Sequence, residues 1–294
     1  MNFLEPGQKL LTSSYFWGPY AILAEHTRRG VETFTMFRAD GSFDSDAFDT
    51  SLRGLLEKQG RALVFLNTPC HNPTGYSLDD QDWERLTASL LEAADLGPVT
   101  LLLDFAYAKF AAADSLRWPP YVERLVEKVE VLFAWTASKA FAQYGARVGA
   151  CVAIAPDDAA RERAKNALGY SCRGTWSNCN HLGMLAITEL LSDEELRASS
   201  EAQREDLRRL LSHRVETFNS LARPAGLSYP RYEGGFFVAV FTPDALKTSE
   251  EMKNEGVFVV PLKGAVRIAL CATPERDIPR LVEALERGVR AAGG

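Results

Sequence analysis

The chain has 294 residues, 46% of them hydrophobic, and a formal net charge of −6, with a pI near 5.4. That acidic balance, with no basic run, excludes a nucleic acid or an anionic membrane surface as the main partner and leaves small molecules. Five scattered cysteines without a CxxC pair and only four histidines make no metal-site pattern and suit a reducing, cytoplasmic setting, and no apolar run approaches a membrane span.

In chain order, short apolar runs recur: VETFTMF (31–37), ALVFLN (62–67), VTLLLDF (99–105), VLFAWTAS (131–138) and VGACVAIA (148–155). They are apolar on both faces instead of alternating, a pattern that predicts parallel strands covered by helices on either side. The segments between them read as helices. Over 77–97, Ser77 and Asp80 form a capping box, and Trp83, Leu86, Leu90 and Ala94 fall on one stripe. A βαβ series of this kind builds an α/β sheet with right-handed crossovers.

Beyond residue 157 the pattern turns helical, with a long helix near 193–221 in which Leu207, Leu211, Val215 and Phe218 keep a helical period. The remainder reads as three strands, GGFFVAVF (234–241), GVFVVPL (256–262) and VRIALC (266–271), and a last helix carrying Ile278, Leu281, Leu285 and Val289. The expected fold is α/β: a mainly parallel sheet covered by helices in a large domain over 1–206, followed by a smaller C-terminal α+β domain over 207–294.

In open α/β sheets ligands bind beyond the carboxyl ends of the strands, so the residues that follow each strand carry the most information. TPCHNPTG follows 62–67, DFAYAKF closes 99–105, and TASKAFAQYGARVG closes the run that begins at 131. Singly, each has an ordinary reading: Asn72 before a proline makes a turn, Asp104 caps a helix, and Lys139 is solvated. An Asn, an Asp with a Tyr three residues on, and a Lys with an Arg eight residues on, at successive strand tips, form a much rarer set.

With those motifs the sequence resembles the fold-type I, pyridoxal-phosphate-dependent aminotransferases, in particular the aspartate and aromatic amino acid group, from about residue 9 to the C-terminus. The resemblance implies that Lys139 forms a Schiff base with the aldehyde of pyridoxal 5′-phosphate and later serves as the base that moves a proton at the substrate α-carbon. It implies that Asp104 keeps the pyridine nitrogen protonated, so that the ring acts as an electron sink. Tyr107 and Asn72 would hydrogen-bond the phenolic oxygen of the cofactor. Arg147 and Thr136 would hold its phosphate, and Trp17 would stack on its ring. Arg267 would grip the substrate α-carboxylate. Arg173 would reach across a homodimer interface to a second carboxylate, which makes dicarboxylic amino acids and 2-oxo acids natural substrates beside aromatic ones. No metal is implied.

Relatives begin well upstream of the first match. The portion upstream normally supplies the first strand of the large sheet, a Ser/Thr/Gly-rich phosphate loop at a helix N-terminus, a lid, and a tyrosine donated to the neighbouring subunit. No substitute for the phosphate loop is found in this sequence, so the phosphate is left to Arg147 and Thr136, and the sheet is expected to carry an uncovered edge or gap. Tyr20 stands near a position that is often histidine, and Cys179-Asn180 where relatives usually carry prolines. The sequence also bears on two other readings. One is a catalytically impaired aminotransferase-like module that binds cofactor or amino acid as a sensor; against it, no helix-turn-helix or basic region is attached. The other, a serine hydrolase, is set aside because GYSCRG puts Arg173 where a nucleophile elbow needs glycine.

Overall fold

The apolar runs form the strands of a six-stranded sheet in a computed structural model that describes residues 2–112 and 116–294. Its elements are, in order, β1 (Lys9–Ser13), α1 (Pro19–His26), β2 (Gly30–Phe34), α2 (Ser45–Gln59), β3 (Ala62–Asn67), α3 (Asp80–Ala94), β4 (Val99–Asp104), α4 (Pro119–Leu125), β5 (Glu130–Thr136), α5 (Ala137–Ala140) and β6 (Gly149–Ile154). The helices α6 (Asp158–Thr175), α7 (His181–Ser192) and α8 (Glu194–Ala222) follow. The smaller unit adds β7 (Phe237–Phe241), α9 (Ala245–Asn254), β8 (Val260–Leu262), β9 (Ala265–Ala269) and α10 (Ile278–Ala291).

The strand order of the large sheet is β2-β1-β3-β4-β5-β6. All pairs are parallel except the last, because β6 runs antiparallel to β5. The run at 148–155 was expected to be parallel. The connection from β5 contains only the single-turn α5 and a short 3₁₀ turn, too little chain for a crossover, so the strand returns beside its predecessor. An apolar run carries no record of strand direction. β6 is also the outer edge of the sheet, and its residues 149–152 are exposed, so helices do not cover both its faces as expected.

Helix α3 begins at Asp80, and its capping box is made by Asp79 and Asp82 instead of Ser77 and Asp80: the Asp79 carboxylate accepts from Asp82 N at 2.9 Å, and that of Asp82 accepts from Asp79 N at 3.1 Å. Ser77 is already engaged, since its hydroxyl accepts from Cys70 N at 3.0 Å. The stripe is as expected at Trp83, Leu86 and Leu90, which join Phe48 and Leu52 of α2 on the face formed by Val64, Leu101 and Val131. Each fully buried large side chain of this kind contributes about 2 kcal/mol of transfer free energy.

The smaller unit is a three-stranded antiparallel sheet, β7-β9-β8. Val238, Val240, Val266 and Ile268 pack on Ile278, Leu281 and Leu285 of α10. Helix α8 runs through residue 206, and its second half (Leu211, Val215, Phe218, Ala222) belongs to this smaller core, while Leu207 is 51% exposed.

Candidate active site

Parallel pairing puts the carboxyl ends of β3, β4 and β5 at one edge, with Asn67 opposite Asp104 and Asp104 opposite Ala134. Asn67 donates its amide to the Asp104 carbonyl at 2.8 Å and accepts from Asn72 N at 2.7 Å. One side chain thus locks two strand tips to the loop that carries Asn72. The loop is tightened by His71, whose Nδ1 is hydrogen-bonded to Thr74 Oγ1 at 2.8 Å. It presses on the smaller unit through Gly75, whose φ is +76° and where a Cβ would lie 2.3 Å from the Phe237 carbonyl; glycine is required there. The buried Asn72 side chain donates to Tyr107 Oη at 3.2 Å and accepts from Arg267 Nη1 at 3.3 Å.

Asp104 ends β4 with both oxygens engaged: Tyr20 donates its hydroxyl to Oδ2 at 2.6 Å, and Ala106 N donates to Oδ1 at 3.0 Å. Burial pushes the Asp104 carboxyl up from its ordinary value, opposed by the two hydrogen bonds and by the charge of Lys139. The ring of Tyr20 meets that of Trp17 edge-on, with centroids 5.6 Å apart. This ties the expected stacking residue to the expected acid.

Lys139 sits on α5, whose start is fixed by Thr136: its hydroxyl accepts from Ser138 N at 3.1 Å. The ammonium nitrogen lies 5.4 Å from the ring centroid of Tyr107 and 5.3 Å from that of Tyr144. Burial lowers its pKa from the ordinary lysine value; Asp104 opposes that shift and Arg147 adds to it. Arg147 is exposed, adopts a left-handed backbone with φ of 55°, and donates to the Tyr144 carbonyl at 2.9 Å. Arg267 lies over the Phe237 ring, with Cζ 4.5 Å from the centroid. Its buried Nε has no hydrogen-bond partner, and among the described residues no carboxylate pairs with it. An unpaired guanidinium in this position is costly unless an anion arrives.

A cavity of about 280 Å³ is lined by Trp17, Asn72, Asp104, Tyr107, Thr136, Lys139 and Arg147. Arg267 reaches it through Asn72. Arg173 does not line it: this residue is exposed near the end of α6 and donates to Ser177 Oγ. Four residues that sequence reasoning did not assign also take part, namely Asn67, Ser138 and Tyr144 on the cavity wall and Tyr20 behind Asp104. Ser138, directly before Lys139, was open to notice. Tyr20 stood out only as a departure from the family, and nothing local marks Asn67 or Tyr144. A larger cavity, about 420 Å³, opens between β5, β6 and α6, but its charged residues, among them Glu130 and Arg163, do not form such a set. Among the described residues no cluster of His, Cys, Asp or Glu could hold a metal ion, and no helix is long and apolar enough to cross a membrane.

The donor set suits pyridoxal phosphate: an amine with a lowered pKa, a half-buried carboxylate clamped at both oxygens, a phenol paired with an amide, an indole, and a guanidinium and two hydroxyls that line the same cavity. The comparisons with known proteins agree. The family model for aminotransferases of class I and II matches residues 1–285. The aromatic-amino-acid aminotransferase of Pseudomonas aeruginosa is 28% identical over 283 residues, covering 95% of this chain and 68% of that protein. The aspartate aminotransferase of Escherichia coli is 29% identical over 249 residues, covering 81% and 59%. A crystal structure of an aminotransferase from Anaerococcus prevotii, 31% identical, superposes with a TM-score of 0.92 over 98% of this chain and 71% of that one. The chain belongs to the class I and II aminotransferases, enzymes that use pyridoxal phosphate.

Proposed function

We propose that this chain transfers an amino group between an amino acid, dicarboxylic or aromatic, and a 2-oxo acid, with Lys139 as the residue that carries the cofactor and moves the proton. The observation behind this reading is the convergence on one cavity of Lys139, Asp104, Tyr107 and Asn72, with Arg267 at its margin, bonded to Asn72 through Nη1 and with a buried Nε that has no partner. When bound, pyridoxal phosphate supplies an electron sink that stabilises negative charge at the substrate α-carbon.

The protein's own residues do the rest. Lys139, its pKa lowered by burial, gives up a proton more readily than a solvated lysine and can then accept one at Nζ. Asp104 holds positive charge at the ring nitrogen. Tyr107 and Asn72 hold the phenolic oxygen, and Trp17 covers the ring. Arg147 and Thr136, with Ser138 alongside, hold the phosphate. Arg267 binds the substrate α-carboxylate, and Arg173, contributed by the second copy in a homodimer, receives a distal one. In the test, protein loaded with cofactor is offered aspartate or phenylalanine with 2-oxoglutarate, and both products are measured. Stoichiometric glutamate and 2-oxo acid support the reading, and Arg173→Ala should reduce the aspartate reaction far more than the phenylalanine one. Loaded protein that turns over neither donor contradicts it.

A further inference from the structure

We infer that Tyr20 is a positioning residue of this site, one whose hydroxyl keeps the Asp104 carboxylate ionised and fixed in one orientation for its contact with the ring nitrogen of the cofactor. The inference rests on the reading of the site given above and goes beyond the motifs that led to it, since Tyr20 lies behind Asp104 and does not line the cavity.

Two demands on Asp104 conflict. A carboxylate can hold a proton on a neighbouring ring nitrogen only while it is itself ionised, yet burial favours the neutral acid at Asp104. Three groups oppose that drift: the Tyr20 hydroxyl, the Ala106 N–H, and the positive charge of Lys139. The last is not dependable, because Lys139 has to lose its proton to react. The two hydrogen bonds therefore remain. They fall on different oxygens, Tyr20 on Oδ2 at 2.6 Å and Ala106 N on Oδ1 at 3.0 Å, so together they fix the plane of the carboxyl group.

The phenol suits the task chemically. Burial, followed by the neighbouring Asp104 charge, raises the pKa of Tyr20 well above its usual value, so it stays a donor wherever the enzyme works. Its ring is held independently of the hydroxyl, edge-on to Phe65 at 5.2 Å and to Trp17 at 5.6 Å, and parallel to Phe16 at 6.4 Å. Packing and hydrogen bonding can therefore be separated experimentally: Tyr20→Phe removes only the donor, and Tyr20→Leu removes the ring as well.

The titratable groups that face Asp104 are Tyr20 from α1 and Lys139 from α5, and Tyr107, just beyond β4, faces both Asp104 and Tyr20. Loss of the Tyr20 hydroxyl raises the Asp104 pKa, so cofactor binding should fail on acidification at a higher pH than in the wild type. The test is an equilibrium titration of cofactor-free protein with pyridoxal 5′-phosphate from mildly acidic to mildly alkaline pH, with the thermal midpoint of each cofactor-free variant recorded beside it. We expect Tyr20→Phe to bind about tenfold more weakly, with the deficit growing toward acid pH and the midpoint little changed, whereas Tyr20→Leu also lowers the midpoint. Equal affinities of wild type and Tyr20→Phe at every pH overturn the role of Tyr20. A wild type that takes up no cofactor overturns the functional reading itself.

Discussion

Arg267 and Asn72, 195 residues apart in the chain, are hydrogen-bonded at 3.3 Å where the smaller sheet meets the tips of the larger one. The bond joins the expected substrate anchor to the residue that also holds Tyr107, so the two units share one site. Arg267 has a buried Nε with no partner, a donor that a substrate carboxylate would satisfy. Replacing it with leucine removes a charge-assisted contact to the α-carboxylate. Steady-state kinetics should show kcat/KM reduced by about two orders of magnitude, equivalent to ~3 kcal/mol, while the cofactor is still bound.

Lys139 titrates below an ordinary lysine chiefly because it is buried, and the Asp104 charge partly offsets that shift. Removing the charge with Asp104→Asn should move the Lys139 pKa further down, and Arg147→Gln should move it up. The rate at which an aldehyde condenses with Lys139, followed against pH, reports the midpoint directly, and the two variants should bracket the wild type.

Acid should weaken the fold through His71. Burial holds its pKa down at about 3, whereas it is near 6.5 when exposed. The unfolded chain therefore binds the extra proton across that interval, and the stability that a neutral imidazole contributes is lost progressively as pH falls from about 6.5 toward 3. Asparagine can retain the bond that Nδ1 makes to Thr74 but cannot titrate. Urea midpoints at neutral pH and at about pH 5 should differ clearly for the wild type and much less for His71→Asn.

Gly75 carries the close approach between the Asn72 loop and the smaller unit. With φ at +76° and a Cβ position 2.3 Å from the Phe237 carbonyl and 2.4 Å from the Tyr232 ring, alanine forces backbone to move. Gly75→Ala should cost about 2–3 kcal/mol in urea denaturation and should weaken cofactor binding too, because Asn72 shifts with the loop.

The strand tips were legible because Asn72, Asp104 and Lys139 each follow an apolar run, and the chemistry of a parallel sheet gathers at that edge. Strand direction was not: β6 is apolar like its neighbours although none of its residues is buried, and only the short link after β5 turns it around. β1 was missed because Lys9–Ser13 is brief and ends in Thr-Ser. The role of Tyr20 depends on a partner 84 residues away, and that of Asn67 on Asp104, 37 residues on, so neither leaves a local pattern. The capping box slipped by two residues because Ser77 serves the backbone of Cys70 instead.

The proposed function requires Lys139 to be the amine that captures the cofactor aldehyde. Protein incubated with pyridoxal 5′-phosphate, reduced with borohydride and digested should yield one peptide with the reduced adduct on Lys139, in near-stoichiometric amount, and Lys139→Ala should yield none. An adduct spread over surface lysines, or one that persists in Lys139→Ala, would contradict the account.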